Sequence, residues 1–490
     1  MDHFVLKEIR QAALFFANRY DEEIRGSTGL KRGQDSCIRV SPKNRSGKLI
    51  WHQLVRRAAD WLMGIAILLT ITDLFKIIGV ALNLGSLLFV TSTLAFLSVA
   101  YVLINFHDIP ITRNRMILFG ILVVALPTVS LLYSPVNASR DLALQVYYFL
   151  LFISSSIYFS RRQDSRVLLF LALAAATAGA VLSILRPELF IPLSEITESK
   201  SSYSGRAFGL YLQPNKCAEN MVWILLMVFL AFRSRKNVWF WFQCGVVMLI
   251  VALTGSRGGM VAALFALLGF LSFNGPRFHA ARFVNSVSSG GLTLIAAVLF
   301  LISVLSYFQE DLYLGQPGGV MERISSLYYP SALIDDGSIA ERQEAQSAYL
   351  DAIASENVVW GYGLGAAAYY RGTDVLGNHA AHNQFIEYVF AYGLLGFFVL
   401  LICGRQIWLD LKRVSIALNF QIHSLFMGVL LLFFLASNTV LGSRNLYILL
   451  GFLYAQHSAK MTLLPGHVLS RSDMSGRPRL ASCRKIRARN

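Results

Sequence analysis

Apolar residues in this chain come in blocks of about twenty, separated by short polar stretches, and that recurrence limits what the chain can become. Twenty helical residues cross roughly 30 Å of hydrocarbon. A backbone in lipid must satisfy its own hydrogen bonds, and single apolar blocks of this length do so as α-helices. The sequence therefore predicts an all-α, polytopic membrane protein of about twelve transmembrane helices. Composition agrees: 55% of the 490 residues are apolar and 15% are charged, too little charge to cover a soluble surface.

The blocks predict membrane helices near 61–82, 84–105, 115–133, 141–159, 166–185 and 218–232, then 238–254, 258–274, 289–308, 384–403, 418–440 and 443–457. Around this core (58–457) lie a basic N-terminal tail (1–57) and a basic C-terminal tail (458–490). Stretches of about 20–50 and 464–490 are rich in Arg, Ser, Gly and Asn and read as disordered. The N-terminus lacks the short apolar segment of a secretory signal.

The formal charge of +16 sits mostly in the tails and in alternate short loops. That is the charge bias of membrane topology rather than a phosphate-binding groove, so no nucleic acid partner is expected. Arg113 and Arg115, then Arg161, Arg162 and Arg166, then Arg233, Arg235 and Lys236 mark three cytoplasmic loops. Arg277 and Arg282, then Arg405, Lys412 and Arg413 mark two more, which places both termini in the cytoplasm. The five cysteines (Cys37, Cys217, Cys244, Cys403, Cys483) are scattered and show neither metal spacing nor a disulfide framework.

Two connections break the rhythm of short loops, at about 186–217 and 309–383. The second is long for a loop without a purpose of its own. It is acidic, with Glu310, Asp311, Glu322, Asp335 and Asp336 against few cations (Arg323, Arg342, Arg371), and falls on the outer side. Within it, Ser338 and Glu341 have capping-box spacing. Ala345, Ala348, Tyr349, Ala352 and Ile353 form an apolar stripe on a helix predicted over 339–356, lying against the membrane.

Several residues could carry chemistry. Arg257 lies in Thr254-Gly255-Ser256-Arg257-Gly258-Gly259 between two apolar blocks. It is either a snorkelling residue in a turn or, because flanking glycines let backbone approach closely, a ligand contact. Arg206, in Gly205-Arg206-Ala207-Phe208-Gly209 before Pro214-Asn215-Lys216, is a headgroup contact or a site residue. Arg342, between Glu341 and Glu344, reads first as a surface ion pair. His382 ends the long loop in His382-Asn383-Gln384-Phe385-Ile386-Glu387, where the chain re-enters the membrane. Histidine suits proton abstraction near neutral pH. Glu387, a carboxylate about one turn into the next helix, could orient that histidine or pair with an arginine. Asp73 and Lys76, one turn apart, read as a structural ion pair. No Walker loop, zinc signature or nucleophile elbow is present.

In this order, Arg206-x-x-Gly209 with Pro214-Asn215, Ser256-Arg257-Gly258, Arg342 on a loop helix, and Trp360-Gly361-Tyr362-Gly363-Leu364-Gly365 leading to His382-Asn383 and Gly393-x-x-Gly396 resemble the O-antigen ligase and polysaccharide polymerase superfamily. The match covers about 200–400 and leaves out the tails. The resemblance implies an inverting, metal-independent transfer of a glycan from a polyprenyl diphosphate carrier, at the outer face of a bacterial inner membrane. The acceptor would be a lipid A core or another glycan. It implies His382 as general base for the acceptor hydroxyl, Arg257 and Arg342 on the diphosphate with Arg206 as a further candidate, and Asn383 and Glu387 in support. No cofactor or metal is implied; membrane lipid and a chain-length regulator are possible partners. A different class, a transporter or flippase of lipid-linked saccharides, has a similar helix count. It would more often show repeated halves and broken helices at the midplane. No repeat appears here, and the suspected site lies at one face.

Overall fold

The computed structural model describes residues 43–81, 88–135, 138–162, 165–190, 206–232, 238–272, 337–355, 358–371, 373, 375–376, 381–418, 420–436 and 440–461. The span predicted over 289–308, the first part of the long loop and most of both tails lie outside these residues. The chain divides into two units, Met1–Val55 and Arg56–Asn490. In the first, the described residues are the opening turns of a helix. All else below concerns the second.

The helices, in order, are α1 (Lys43–Thr72), α2 (Phe75–Ala81), α3 (Leu88–Ile104), α4 (Arg113–Ser130), α5 (Ser139–Arg161), α6 (Arg166–Leu185), α7 (Pro214–Phe232), α8 (Val238–Leu253) and α9 (Arg257–Ser272). Then follow α10 (Gly337–Ser355), α11 (Ala366–Tyr370), α12 (Gln384–Leu418), α13 (Ile422–Ala436) and α14 (Arg444–Met461). The described secondary structure is helical throughout, apart from turns and two single-residue bridges. Among the described residues, five helices are long and apolar enough to cross a membrane: α4, α5, α6, α7 and α12. The cores of α3, α8, α9 and α13 are apolar and shorter. The chain is thus a multi-pass helical membrane protein, and the predicted spans that lie within the described residues fall on its helices.

Four boundaries differ from the sequence reading. Helix α1 starts at Lys43, inside the stretch read as disordered. The predicted span 61–82 breaks between α1 and α2 at Asp73, whose φ is 55°. Helix α4 contains a π-helical turn at Ile121–Ala125, just before Pro127. Proline has no N–H to donate to the carbonyl one turn back, so the helix widens there. Helix α12 runs to Leu418, past the predicted 403, but is interrupted at Gly393 (φ 63°, ψ −168°).

The core centres on α7, where every residue from Met221 to Phe229 has 0% exposure. A helix apolar on all sides must be surrounded, and α7 packs against α6, α8, α9 and α14. Small residues set the closest approaches. A Cβ on Gly451 of α14 would come within 2.5 Å of the Ser155 hydroxyl of α5, and one on Gly428 of α13 within 2.4 Å of the Phe265 ring of α9. Two ion-pair clusters tie the end where α5 finishes and α4 begins. Arg161 bonds Asp60 (3.2 Å) and Asp108 (2.7 Å). Arg115 pairs with Asp410, which also accepts from the Tyr454 hydroxyl. Two arginines of the charge bias are therefore also structural links.

Helix α10 is an independent check on pattern reading. Ala345, Tyr349 and Ala352 are buried and Ala348 and Ile353 half-buried, as the stripe predicts. The face they form packs on Phe390 of α12, with Ala366, Leu376 and Ala381, rather than on a membrane surface.

Candidate functional site

Helices α7, α9, α12 and α14 all begin in one layer at the end of the bundle opposite the two ion-pair clusters. Ala218 of α7 meets Gly259 of α9 so closely that a Cβ on the glycine would lie 2.4 Å away. The Ser443 hydroxyl before α14 donates to Asn220 Oδ1 of α7. The Leu441 N–H donates to Gln384 Oε1 at the start of α12. Each helix start turns the positive end of its dipole into this layer.

The first two predicted elements come together here. Arg206 is 6% exposed, and its Nε donates to the Thr254 carbonyl at 2.7 Å. The Ala207 N–H donates to the Leu253 carbonyl at 2.8 Å. The turn that Arg206 braces has Gly255 at φ 60°. Ser256 caps α9, its hydroxyl accepting from the Gly259 N–H. Arg257, half-buried, is then the first residue of the helix.

The other predicted residues gather where the long loop meets α12. His382 is half-buried with φ 49°, a left-handed conformation that is uncommon for a residue with a side chain. Asn383 caps α12, its Oδ1 accepting from the Phe385 and Ile386 N–H groups. Gln346 of α10 donates to the Ala381 carbonyl, one residue before His382. Half-buried Arg342 lies four residues before Gln346, so the two share a helix face.

The glycine motifs have a mechanical reading. The segment 358–363 lies in the break of α12. The Tyr362 and Gly363 N–H groups donate to the Phe390 and Ala391 carbonyls, and the Leu394 and Leu395 N–H groups donate to Val358 and Val359. The backbones meet so closely that a Cβ on Gly393 would lie 2.1 Å from the Val359 oxygen, and one on Gly361 2.5 Å from the Gly393 nitrogen. The loop segment thus satisfies four of the backbone groups around the interruption.

Two cavities open in this layer and share Leu144, Tyr148, Lys216 and Gly442 in their walls. The larger, about 490 Å³, is lined by Leu122 and Val123 of the widened turn in α4, by Asp141, Lys216 and Arg371, and by Gln384 and Glu387 of α12. Arg371 and Glu387 both act on Tyr349, fully buried on α10. Burial pushes its hydroxyl up, the Glu387 charge adds to the rise, and Arg371 opposes it. The smaller cavity, about 260 Å³, holds Asp73 bonded to both Lys76 (3.0 Å) and Arg444 (2.8 Å), with Glu219 and Asn445. The predicted pair Asp73–Lys76 forms and gains a third member.

Of the predicted residues, Glu387 lines the large cavity. His382 and Asn383 immediately precede its wall residue Gln384. Arg206, Arg257 and Arg342 are not among its described lining residues. Lys216, Arg371, Asp141 and Arg444 were not singled out from sequence. Arg444 had a signal, because it opens a predicted membrane span, where an arginine is costly without a partner.

Fold and site define a multi-pass helical membrane protein with a polar, charge-lined cavity at one end of its bundle. Residues 242–401 match the family model described as O-antigen ligase. No curated protein matches the chain.

Proposed function

We propose that the protein transfers an oligo- or polysaccharide from a polyprenyl diphosphate carrier to an acceptor hydroxyl, at the outer face of a bacterial inner membrane. The observation that carries this reading is the junction at His382. A histidine in a strained backbone conformation is fixed between a loop helix bearing Arg342 and the mouth of a membrane helix bearing Glu387, inside the stretch that matches the O-antigen ligase family. Strain of this kind is held where surrounding structure over-determines it, commonly at active sites.

In the reaction, His382 accepts the proton of the acceptor hydroxyl as its oxygen attacks the anomeric carbon. The bond from that carbon to the phosphate oxygen breaks, the anomeric centre inverts, and polyprenyl diphosphate departs. Diphosphate needs charge stabilisation rather than protonation to leave. Arg257 and Arg342 supply it through paired guanidinium donors that stay charged. Fixed donors serve best in a water-poor site. Arg206, already committed to the Thr254 carbonyl, is assigned to hold the turn that presents Arg257. Lys216 and Arg371 in the cavity wall extend the positive field.

A broken helix also occurs in transporters, where the freed backbone binds ions. Here segment 358–363 bonds the Phe390 and Ala391 carbonyls and the Leu394 and Leu395 N–H groups beside Gly393, so these groups are engaged with protein.

The residue roles separate kinetically. Purified protein in nanodiscs is given a polyprenyl diphosphate-linked repeat unit, with or without a lipid A core and with a chelator throughout. His382→Ala should keep donor affinity and lose about 10²–10⁴-fold in turnover. Arg257→Ala should weaken both. Near-normal turnover by His382→Ala removes it as the base. Which acceptor is consumed decides between ligase and polymerase.

A further inference from the structure

A third cavity, of about 520 Å³, is walled in part by the segment that fills the α12 break. Its walls include Tyr133 from the end of α4, and Trp360, Tyr362 and Tyr370 from the long loop. The residues that follow this segment in the loop, Gly365, Ala367, Ala368 and Arg371, line the cavity that carries Glu387. The stretch 360–371 therefore borders both a charged chamber and an aromatic one.

The aromatic rings of this chamber divide by role. Tyr362 is engaged in packing: its ring stacks on Phe390 at 4.6 Å, and its hydroxyl donates to the Ala352 carbonyl. Tyr370 stands edge-on to it. Trp360 differs. Its backbone is held on two sides, by the Tyr133 hydroxyl donating to its carbonyl at 3.1 Å and by the bonds that fix Val359 and Tyr362 to α12. Yet Trp360 is 56% exposed, and Tyr133 beside it 37%. A large apolar ring on a backbone held in place, with an open face, is a partly preorganised platform. The Tyr133 phenol spends its proton on the Trp360 carbonyl, and its oxygen keeps the capacity to accept a hydrogen bond.

That combination fits a sugar ring, which has an apolar C–H face for an aromatic plane and hydroxyls at its edge for polar groups. A lipid tail has no donor to offer that acceptor, whereas a sugar hydroxyl does. We infer that the chamber walled by Trp360 and Tyr133 is a glycan subsite, holding sugar residues of donor or acceptor that lie beyond the reacting bond. The inference rests on the proposed glycosyl transfer for its choice of ligand. The competing account of an exposed tryptophan at a membrane face is an interfacial anchor among lipid headgroups.

Intrinsic fluorescence tells these apart without requiring turnover. The signal of Trp360 is the difference between wild type and Trp360→Phe, both full-length in nanodiscs. It is read against a panel of free hexasaccharides (glucan, mannan, chitin and galactan types), and again in nanodiscs of brominated phosphatidylcholine. A saturable change with at least one hexasaccharide, lost in Trp360→Phe and weakened about tenfold in Tyr133→Ala, is expected. Little quenching by bromolipid is expected. In the transfer assay, Trp360→Ala should raise KM about tenfold for acceptors of several repeats while leaving kcat unchanged. No response to any saccharide overturns the subsite, whether or not bromolipid quenches. A saccharide response in a protein that releases no polyprenyl diphosphate keeps the subsite and sinks the transfer reading.

Discussion

His382 combines a left-handed backbone, a capped helix immediately after it and a loop helix bonded to the residue before it. A left-handed residue with a side chain costs about 1–2 kcal/mol, and glycine avoids that cost. His382→Gly therefore separates chemistry from architecture. Glycine's larger unfolded entropy, about 0.5–1 kcal/mol, offsets part of the gain. The variant should melt no lower than wild type while turnover falls about 10²–10⁴-fold. A drop of several degrees in Tm would mean that the imidazole is a packing residue. Asn383 is expected to act one step removed. Asn383→Ala loses the cap of α12 and should cost about 1 kcal/mol of stability, seen as a lower melting temperature with donor still bound.

Among elements, the pairing of segment 358–363 with the break in α12 is the joint on which both loop cavities depend. Gly393→Ala places a methyl 2.1 Å from the Val359 oxygen at a residue with φ 63°. It should cost about 3 kcal/mol or more, detected as loss of folded protein on size exclusion in detergent. Gly404→Ala on the same helix meets nothing within 4 Å and should be neutral or slightly stabilising. Much of this level was legible in the sequence. The apolar blocks marked the helices, and the spacing of Ala345, Tyr349 and Ala352 gave the buried face of α10. The Gly361 and Gly393 motifs were visible as patterns, but their meaning was not, because it lies in a contact between segments thirty residues apart. The same holds for the cavity cations. Lys216 and Arg371 look like ordinary loop charges until folding brings them to one wall, and Arg206 looks like a ligand contact until its bond to Thr254 appears.

Across the whole molecule, Asp73 joins the break between α1 and α2 to the start of α14, through Lys76 and Arg444. All three side chains are mostly buried, so removing the carboxylate leaves two cations facing each other in a poorly hydrated place. Asp73→Asn should cost about 3–5 kcal/mol, read as a fall in the detergent melting temperature. Restoring much of it by adding Arg444→Leu would show that the loss comes from uncompensated charge. The charged cavities, the aromatic chamber and the four helix starts all lie at one end of the bundle, and that one-sidedness is what a transfer reaction at a membrane face requires. The most direct measurement is release of polyprenyl diphosphate by purified wild type in nanodiscs, followed by mass spectrometry with a radiolabelled lipid-linked repeat as donor. The account predicts free polyprenyl diphosphate in amounts equal to the glycan joined to acceptor. An intact donor that instead crosses the bilayer of sealed vesicles containing the protein would contradict it.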